Sequence, residues 1–328
     1  MIICKVPFRI SFVGGGTDFP HYYKKKNGCV IGGTINKYCY VSIRKINQIF
    51  KYKYRIVWSK NEIINDASLI KNPIVKSVFK LLKIKKKIEI HYQADLPKNS
   101  GIGSSSSFCV GLIDAFHKFS NIKISKKKLA KLAIEVEQKI LKEYCGSQDQ
   151  IWASYGGLRF IEFKKDGDFL VKNLNISKTK KKLLESNMLL MFTGYQRYSK
   201  QIEKNKNKNL TNKNKILDQI KTLTYKCKDI LENKHNFDEL GNLLNEYWVL
   251  KKKLSTKVSN DKIDNIYKNI LKNGAIGAKL IGSGSGGFFL IYCKKNKQNN
   301  LKNKLRNFSF VNIKFTDVGS NIIYHSKN

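Results

Sequence analysis

Leu96-Pro97-Lys98-Asn99-Ser100-Gly101-Ile102-Gly103-Ser104-Ser105-Ser106-Ser107 is the stretch on which the reading of this chain turns. Just before it, Ile88-Glu89-Ile90-His91-Tyr92 alternates as a strand does, and Pro97 ends that run. Gly101 and Gly103 let the backbone turn tightly and approach a ligand without Cβ clashes. Beyond the serines, Phe108, Leu112, Ala115, Phe116 and Phe119 recur at helical spacing. A glycine turn therefore feeds a helix whose first turn is all hydroxyl. The N–H groups and positive dipole end of such a helix make an anion site. A serine N-cap on an ordinary buried helix is the plainer alternative. Four successive serines exceed what capping needs, so phosphate binding is the stronger reading. No Gly-Lys-Ser/Thr follows the glycines, so the loop is not a Walker A motif.

The chain around this loop has 328 residues and 41% hydrophobic content, enough for two domains or one large one with an ample core. Its formal net charge of +39 raises the question of nucleic acid. The lysines are scattered in triplets, such as Lys24–Lys26, Lys85–Lys87, Lys126–Lys128 and Lys251–Lys253, among Asn and Ile throughout. That is a whole-chain bias rather than a basic stripe, and no aromatic stacking motif accompanies it. A nucleic-acid-binding protein is therefore a distant reading. The positive field suits anionic small molecules such as nucleotides and sugar phosphates. The seven cysteines are odd in number and lack CxxC spacing, as expected of reduced core thiols in a cytoplasmic protein. No signal peptide or membrane-spanning run is expected.

The flanking segments add candidates. Phe8, Ile10 and Phe12 alternate with Arg9 and Ser11 as a strand, which runs into Gly14-Gly15-Gly16-Thr17-Asp18. This second glycine motif is weak by itself, and Asp18 could simply cap a short helix through His21. Ser125 caps a helix that buries Leu129, Leu132, Ala133, Val136 and Ile140. Glu137 lies about 60° from the centre of that face, where a cleft could receive it, and a surface glutamate fits equally well. Glu135, about 120° away, reads as solvated. In Gly146-Ser147-Gln148-Asp149-Gln150, a carboxylate sits between two glutamines beside apolar residues. Turn or cap duty and a positioned acid or base both remain open.

Strands are expected over Val30–Arg44 and Phe50–Trp58, and a helix from Asn72-Pro73 to Lys83. Paired strands over 158–171 turn at Lys164–Gly167, which can mark a domain boundary. Residues 198–215 are Lys/Asn-rich and read as a mobile, solvated segment. Helices follow around Ile216–Ile230 and Leu240–Leu254. Gly282-Ser283-Gly284-Ser285-Gly286-Gly287 then stands between two strand-like runs, Ala278–Ile281 and Phe288–Tyr292. A strand rather than a helix after the glycines argues against a dinucleotide fold. A glycine run there lets backbone press on another loop. The strands, with the helix after Ser107, indicate an α/β sandwich.

Three glycine motifs in this order resemble the GHMP small-molecule kinases, over nearly the whole chain. Pro97 to Ser107 is similar to the family's phosphate loop, P-x-x-x-G-[LI]-G-S-S-[SA]. Arg9 to Asp18 is similar to its first motif in the sugar-kinase version, and Gly282 to Gly287 to its third. With Gln148-Asp149-Gln150 and Tyr155-Gly156-Gly157, the resemblance is strongest to the heptose 7-phosphate kinase branch, which is also similar to fucokinase. The resemblance implies an α+β fold, with a two-layer α/β domain over 1–165 and an α+β domain over 166–328. It also implies a cytoplasmic kinase using ATP and Mg²⁺ on a sugar, with no nucleic-acid or membrane partner. Gly101, Ile102, Gly103, Ser104, Ser105 and Ser106 would cradle the phosphates. Ser105 and Glu137 would hold the metal, and Asp149 and Arg9 would be catalytic. Gly15, Gly16, Thr17 and Asp18 would contact the sugar. Gly282, Gly284, Gly286 and Gly287 would be structural. Lys142-Glu143-Tyr144-Cys145 departs from the Gly and Pro usual in this branch. For a phosphate carried by the sugar itself, Arg197 and Lys252 are the candidate cations.

Overall fold

The computed structural model describes residues 1–195, 214–234 and 236–326. Strand β1 (Ile2–Val13) buries Cys4, Val6, Phe8, Ile10 and Phe12 completely, the period of two that fixes its inward face. Helix α1 (Pro20–Lys26) follows the first glycine turn, and the long strand β2 (Gly28–Lys45) returns antiparallel to β1. The strand expected from Phe50 to Trp58 is present in shorter form as β3 (Tyr54–Val57), and an unexpected strand β4 (Asn61–Ile64) makes a hairpin with it. Its tight turn closes where the Trp58 N–H donates to the Lys60 carbonyl at 2.9 Å. Helix α2 (Pro73–Leu82) starts from Asn72, whose side chain accepts from the N–H groups of Ile74 and Val75. Strand β5 (Ile88–Ala94) then leads through the serine loop into α3 (Ser104–Phe119). Helices α4 (Lys126–Glu135) and α5 (Gln148–Tyr155) and strands β6 (Leu158–Phe163) and β7 (Phe169–Asn173) complete this part.

Helix α6 (Lys178–Asn187) leads into β8 (Met188–Phe192). Beyond it come α7 (Asn214–Asn233), α8 (Asp238–Leu254), α9 (Asp261–Lys272), β9 (Gly277–Leu280), β10 (Phe288–Tyr292), α10 (Gln298–Lys304), β11 (Ser309–Val311) and β12 (Asn321–His325). The first sheet runs β12-β1-β2-β5-β3-β4, with β6 paired to β2 and β7 to β6, and the second runs β11-β8-β10-β9. Helix α3 packs across β1 and β2, α8 packs on β9, and α7 packs back onto β1 and β2. The two layers thus meet along the far end of β1. The mixed helix and sheet content agrees with the α+β class.

The Lys164–Gly167 turn does not separate the two sheets. It joins β6 to β7, with Phe163 paired to Phe169, and β7 stays on the first sheet. Strand β12 also returns to that sheet, pairing with β1. A division at 165/166 therefore cuts a hairpin. Residues 198–213 of the Lys/Asn-rich segment, with Arg197, lie outside the described residues, while 214–215 begin α7. Among the described residues, no helix is long and apolar enough to cross a membrane, and all described cysteines are free thiols.

Candidate active site

A cleft of about 360 Å³ opens where β1, the N-terminus of α3, α5, α8 and β9 converge. That volume suits a small polar substrate. Its floor is the loop that opens the chain's reading. Gly103 is the N-cap of α3 at φ 78°, and no side chain caps the helix there. Ser104 and Ser105 face the cleft, so the first-turn N–H groups of α3 are presented to it. Ser107 is used structurally, its hydroxyl donating to the Pro7 carbonyl at 3.1 Å and tying the helix to β1.

Arg9 projects from β1 over this floor and meets Asp149 in the first turn of α5. Arg9 Nε donates to Asp149 Oδ1 at 2.7 Å and Nη2 to Oδ2 at 2.6 Å, a fork-on-carboxylate pair. Arg9 Nη1 also donates to the Gly101 carbonyl. A Cβ built on Gly103 would lie 3.3 Å from both Arg9 Cγ and Asp149 Oδ2, so the pair rests directly on the loop. The sequence left Asp149 between cap duty and chemistry. The structure places it in the cleft and locked to Arg9, which also reaches the loop.

Glu137 is brought inward by a break in helical register. After α4, residues Val136–Ile140 form a wider turn, closed by the Leu141 N–H donating to the Val136 carbonyl at 2.9 Å. The carboxylate is 2% exposed and accepts from Ser106 Oγ at 2.7 Å and from the Gln150 amide. Burial pushes its pKa up to about 7, against the Ser106 hydrogen bond, and nearby Glu143 adds to the rise. The sequence pairs Ser105 with Glu137. The hydroxyl actually bonded to Glu137 is that of Ser106, while Ser105 stands exposed on the cleft wall about 100° earlier around α3. A buried carboxylate with carboxylate neighbours and hydroxyls facing it fits a hard divalent cation. Among the described residues, no group of three or more His, Cys, Asp or Glu forms a metal cage. Mg²⁺ takes one or two carboxylates and completes its shell with phosphate and water.

The first glycine motif splits by role. Asp18 is fully buried in the cleft wall, its Oδ1 accepting from the Gly16 N–H at 2.8 Å. Gly146 packs on it so closely that a Cβ would lie 1.8 Å from Asp18 Oδ2. Gly15 and Gly16 line the cleft, but Thr17 does not. The Thr17 hydroxyl donates to the carbonyls of Gly14 and Cys29 and accepts from the Cys29 N–H, so it holds the β1–β2 turn rather than a sugar.

A model of the GHMP kinases N terminal domain matches residues 69–157, and one of the GHMP kinases C terminal domain matches 228–311. The chain is also 33% identical, over 321 residues and 92% of each chain, to D-glycero-alpha-D-manno-heptose 7-phosphate kinase of Campylobacter jejuni subsp. jejuni. This chain belongs to the GHMP kinase family. It is, accordingly, an ATP-dependent phosphotransferase. It is also 27% identical to the bifunctional fucokinase/GDP-fucose pyrophosphorylase of Arabidopsis thaliana, over 94% of this chain and 32% of that one. The fold matches, over the whole of both chains at TM-score 0.81 and 22% identity, a structure titled as a D-glycero-D-manno-heptose 1-phosphate kinase from Bacteriodes thetaiotaomicron.

The other wall of this GHMP kinase cleft comes from its C-terminal half. The third glycine motif presses on the phosphate loop, as a glycine run between strands allows. Gly287 sits at φ 98°, a Cβ there would lie 2.2 Å from the Ser100 carbonyl oxygen, and the Phe288 N–H donates to that same oxygen at 3.3 Å. Gly282 and Ser283 face the cleft. Lys252 does not. Its ammonium pairs with Asp264 at 3.0 Å outside the cleft. Its neighbour Lys251 is in phase with Leu240, Leu244, Tyr247 and Leu254 on the buried stripe of α8, and it lines the cleft with Lys279 of β9. Sequence reading missed Lys251, Lys279 and Tyr247. For Lys251 the signal was there, since a lysine repeated the period of the apolar face.

Proposed function

We propose that this GHMP kinase transfers the γ-phosphoryl group of ATP to the anomeric hydroxyl of D-glycero-D-manno-heptose 7-phosphate. The product is the 1,7-bisphosphate, which serves synthesis of nucleotide-activated heptose. The observation that carries the reading is the Arg9–Asp149 pair seated on Gly103 at the mouth of α3, in a cleft shared with buried Asp18. The likeness to the Campylobacter heptose 7-phosphate kinase supports the choice of sugar.

Phosphoryl transfer needs positioning and charge stabilisation more than covalent help. The N–H groups from Gly101 to Ser106 receive the triphosphate. Glu137 with the Ser105 hydroxyl, and Ser106 within reach, would hold Mg²⁺, which neutralises phosphate charge when bound. Asp18 and the Gly15-Gly16 backbone hold sugar hydroxyls. Asp149 orients the attacking hydroxyl and takes its proton as the bond to phosphorus forms. Arg9 holds Asp149 in place through two hydrogen bonds, and it faces the charge that builds on the transferring group. The likeness to a fucokinase favours a second reading, in which the acceptor is fucose or another unphosphorylated sugar.

A panel of acceptors followed by phosphorus NMR decides between them. A new anomeric phosphate on heptose 7-phosphate, formed only with ATP and a divalent metal, is the expected result. Faster turnover of fucose or of unphosphorylated heptose would transfer the assignment to the second reading.

A further inference from the structure

The chain has 63 lysines and arginines, and among the described residues two lysines behave unlike surface residues. Lys279 on β9 is 2% exposed and Lys251 on α8 is 3% exposed, and both line the substrate cleft. Lys279 Nζ donates to the carbonyls of Ser11 at 2.8 Å and Phe12 at 2.7 Å, and it lies 4.2 Å from the centre of the Tyr247 ring. Lys251 Nζ donates to the Leu280 carbonyl at 2.7 Å. Lysine is almost never this buried, because its ammonium must leave water. Two on one wall of a substrate cleft set a strong positive potential there.

Beside them stand polar atoms that the protein itself does not satisfy. Ser11 Oγ, Ser283 Oγ and Gln148 Oε1 are buried without a hydrogen-bond partner, and all three residues line the same cleft. Ser11 is 8% exposed and Ser283 is 5% exposed. Ser11 supplies a carbonyl that holds Lys279. Ser283 follows closely on Leu280, which holds Lys251. Buried hydroxyls left without partners beside ammonium groups describe a receptor for an oxyanion.

The distance from the chemistry also fits. Ser11 lies two residues beyond Arg9 on the same face of β1, about 7 Å along the strand. Arg9 and Asp149 mark the reacting end, so the lysine wall lies about one sugar ring away. We infer that Lys251 and Lys279, with the hydroxyls of Ser11 and Ser283, form an anion subsite for the phosphate that the acceptor already carries. The inference rests on the reading of the acceptor as a sugar phosphate.

The test compares kcat/KM for D-glycero-D-manno-heptose 7-phosphate and unphosphorylated heptose in the wild type, Lys251→Met, Lys279→Met and the neighbouring control Lys252→Met. Calorimetric binding of heptose 7-phosphate without nucleotide is measured alongside. Wild type and Lys252→Met should favour the phosphorylated sugar. Lys251→Met and Lys279→Met should each lose roughly ten- to a hundredfold of that preference, as for charged hydrogen bonds, and bind heptose 7-phosphate correspondingly more weakly. Lys→Arg at either position should restore part of the preference, and it keeps the question answerable if a methionine variant unfolds. Equal losses on both sugars, or a raised KM for ATP alone, would overturn the subsite while leaving the sugar kinase standing. No turnover of either sugar by the wild type would remove the heptose reading and leave the second one, a kinase of fucose or another sugar. In that case, heptose 7-phosphate binding that weakens in the two lysine variants would still support the subsite, and undetectable binding would remove the subsite as well.

Discussion

The two walls of the cleft are built on different principles. The N-terminal wall is built on one contiguous loop and helix terminus, Gly101 to Ser106, to which the distant side chains of Arg9, Glu137 and Asp149 are brought. The C-terminal wall uses isolated lysines, Lys251 and Lys279, delivered by a helix and a strand whose other residues serve the core. One wall combines the backbone N–H groups of α3 with a paired arginine and carboxylate, and the other presents two buried lysines. The difference suggests a division of labour. On the proposed reading, the first wall holds the ATP phosphates and the sugar hydroxyls, and the second holds the phosphate that distinguishes one acceptor from another.

The largest expected effect tests the first wall at its reacting point. Asp149→Asn should lower kcat by roughly two orders of magnitude or more, as loss of a positioned base does. The KM for ATP should hardly move, because the residue acts in the transition state. A variant with normal kcat and only a raised sugar KM would make Asp149 a binding residue.

Next comes the seam between the walls. Gly287→Ala adds a Cβ against the Ser100 carbonyl at a left-handed φ of 98°, so both sterics and backbone conformation oppose it. A loss of about 1–3 kcal/mol of stability is expected, read as a lowered Tm together with weaker ATP binding. Lowered Tm with unaltered ATP binding would mean that the third motif does not shape the phosphate loop.

Glu137 gives a pH signature. Its pKa is raised to about 7 in the folded enzyme from an ordinary 4.5, so the folded state keeps a proton that the unfolded chain releases. Stability therefore falls as pH rises from about 4.5 to about 7 and then levels. The contribution is on the order of 3 kcal/mol. Glu137→Gln should flatten that slope. It should also abolish a rise in Mg²⁺ affinity through pH 7 that release of this proton would produce. An unchanged metal dependence would remove Glu137 from the metal site.

The smallest effect belongs to Lys252. Its pair with Asp264 is one-third exposed on both sides, and such pairs contribute little. Lys252→Ala should leave kcat/KM within about twofold. A larger acceptor-specific loss would erase the contrast with Lys251.

The N-terminal wall was legible because local sequence determines it. A Gly-turn into a serine-rich helix start has the same geometry wherever it folds, and Asp149 and Arg9 stood out as charges in apolar company. Thr17 was misplaced because a hydroxyl beside an active-site aspartate can serve the backbone instead, and here it closes the β1–β2 turn. The pairing of Glu137 with Ser106 was not readable, since the wide turn at Val136–Ile140 breaks the 100° rule that a helical wheel assumes. The fold was clearest where strands alternate, as in β1 and β2. It was least clear in the short helix α5, whose eight residues are too few to show a period. Lys252 and Lys251 differ by one position and about 100° of rotation. Only the apolar stripe of α8 tells which of them points inward.

The pairing of β12 with β1 sets an order of events in synthesis. Ile2 pairs with His325 and Lys5 with Asn321, so the strand that carries Arg9 is made long before its outer neighbour and lacks it until that neighbour follows. Until then it has an open edge, the kind that recruits other chains, and the pairing is among the most distant in sequence that the chain makes. When β12 docks, that edge of β1 becomes interior to the sheet.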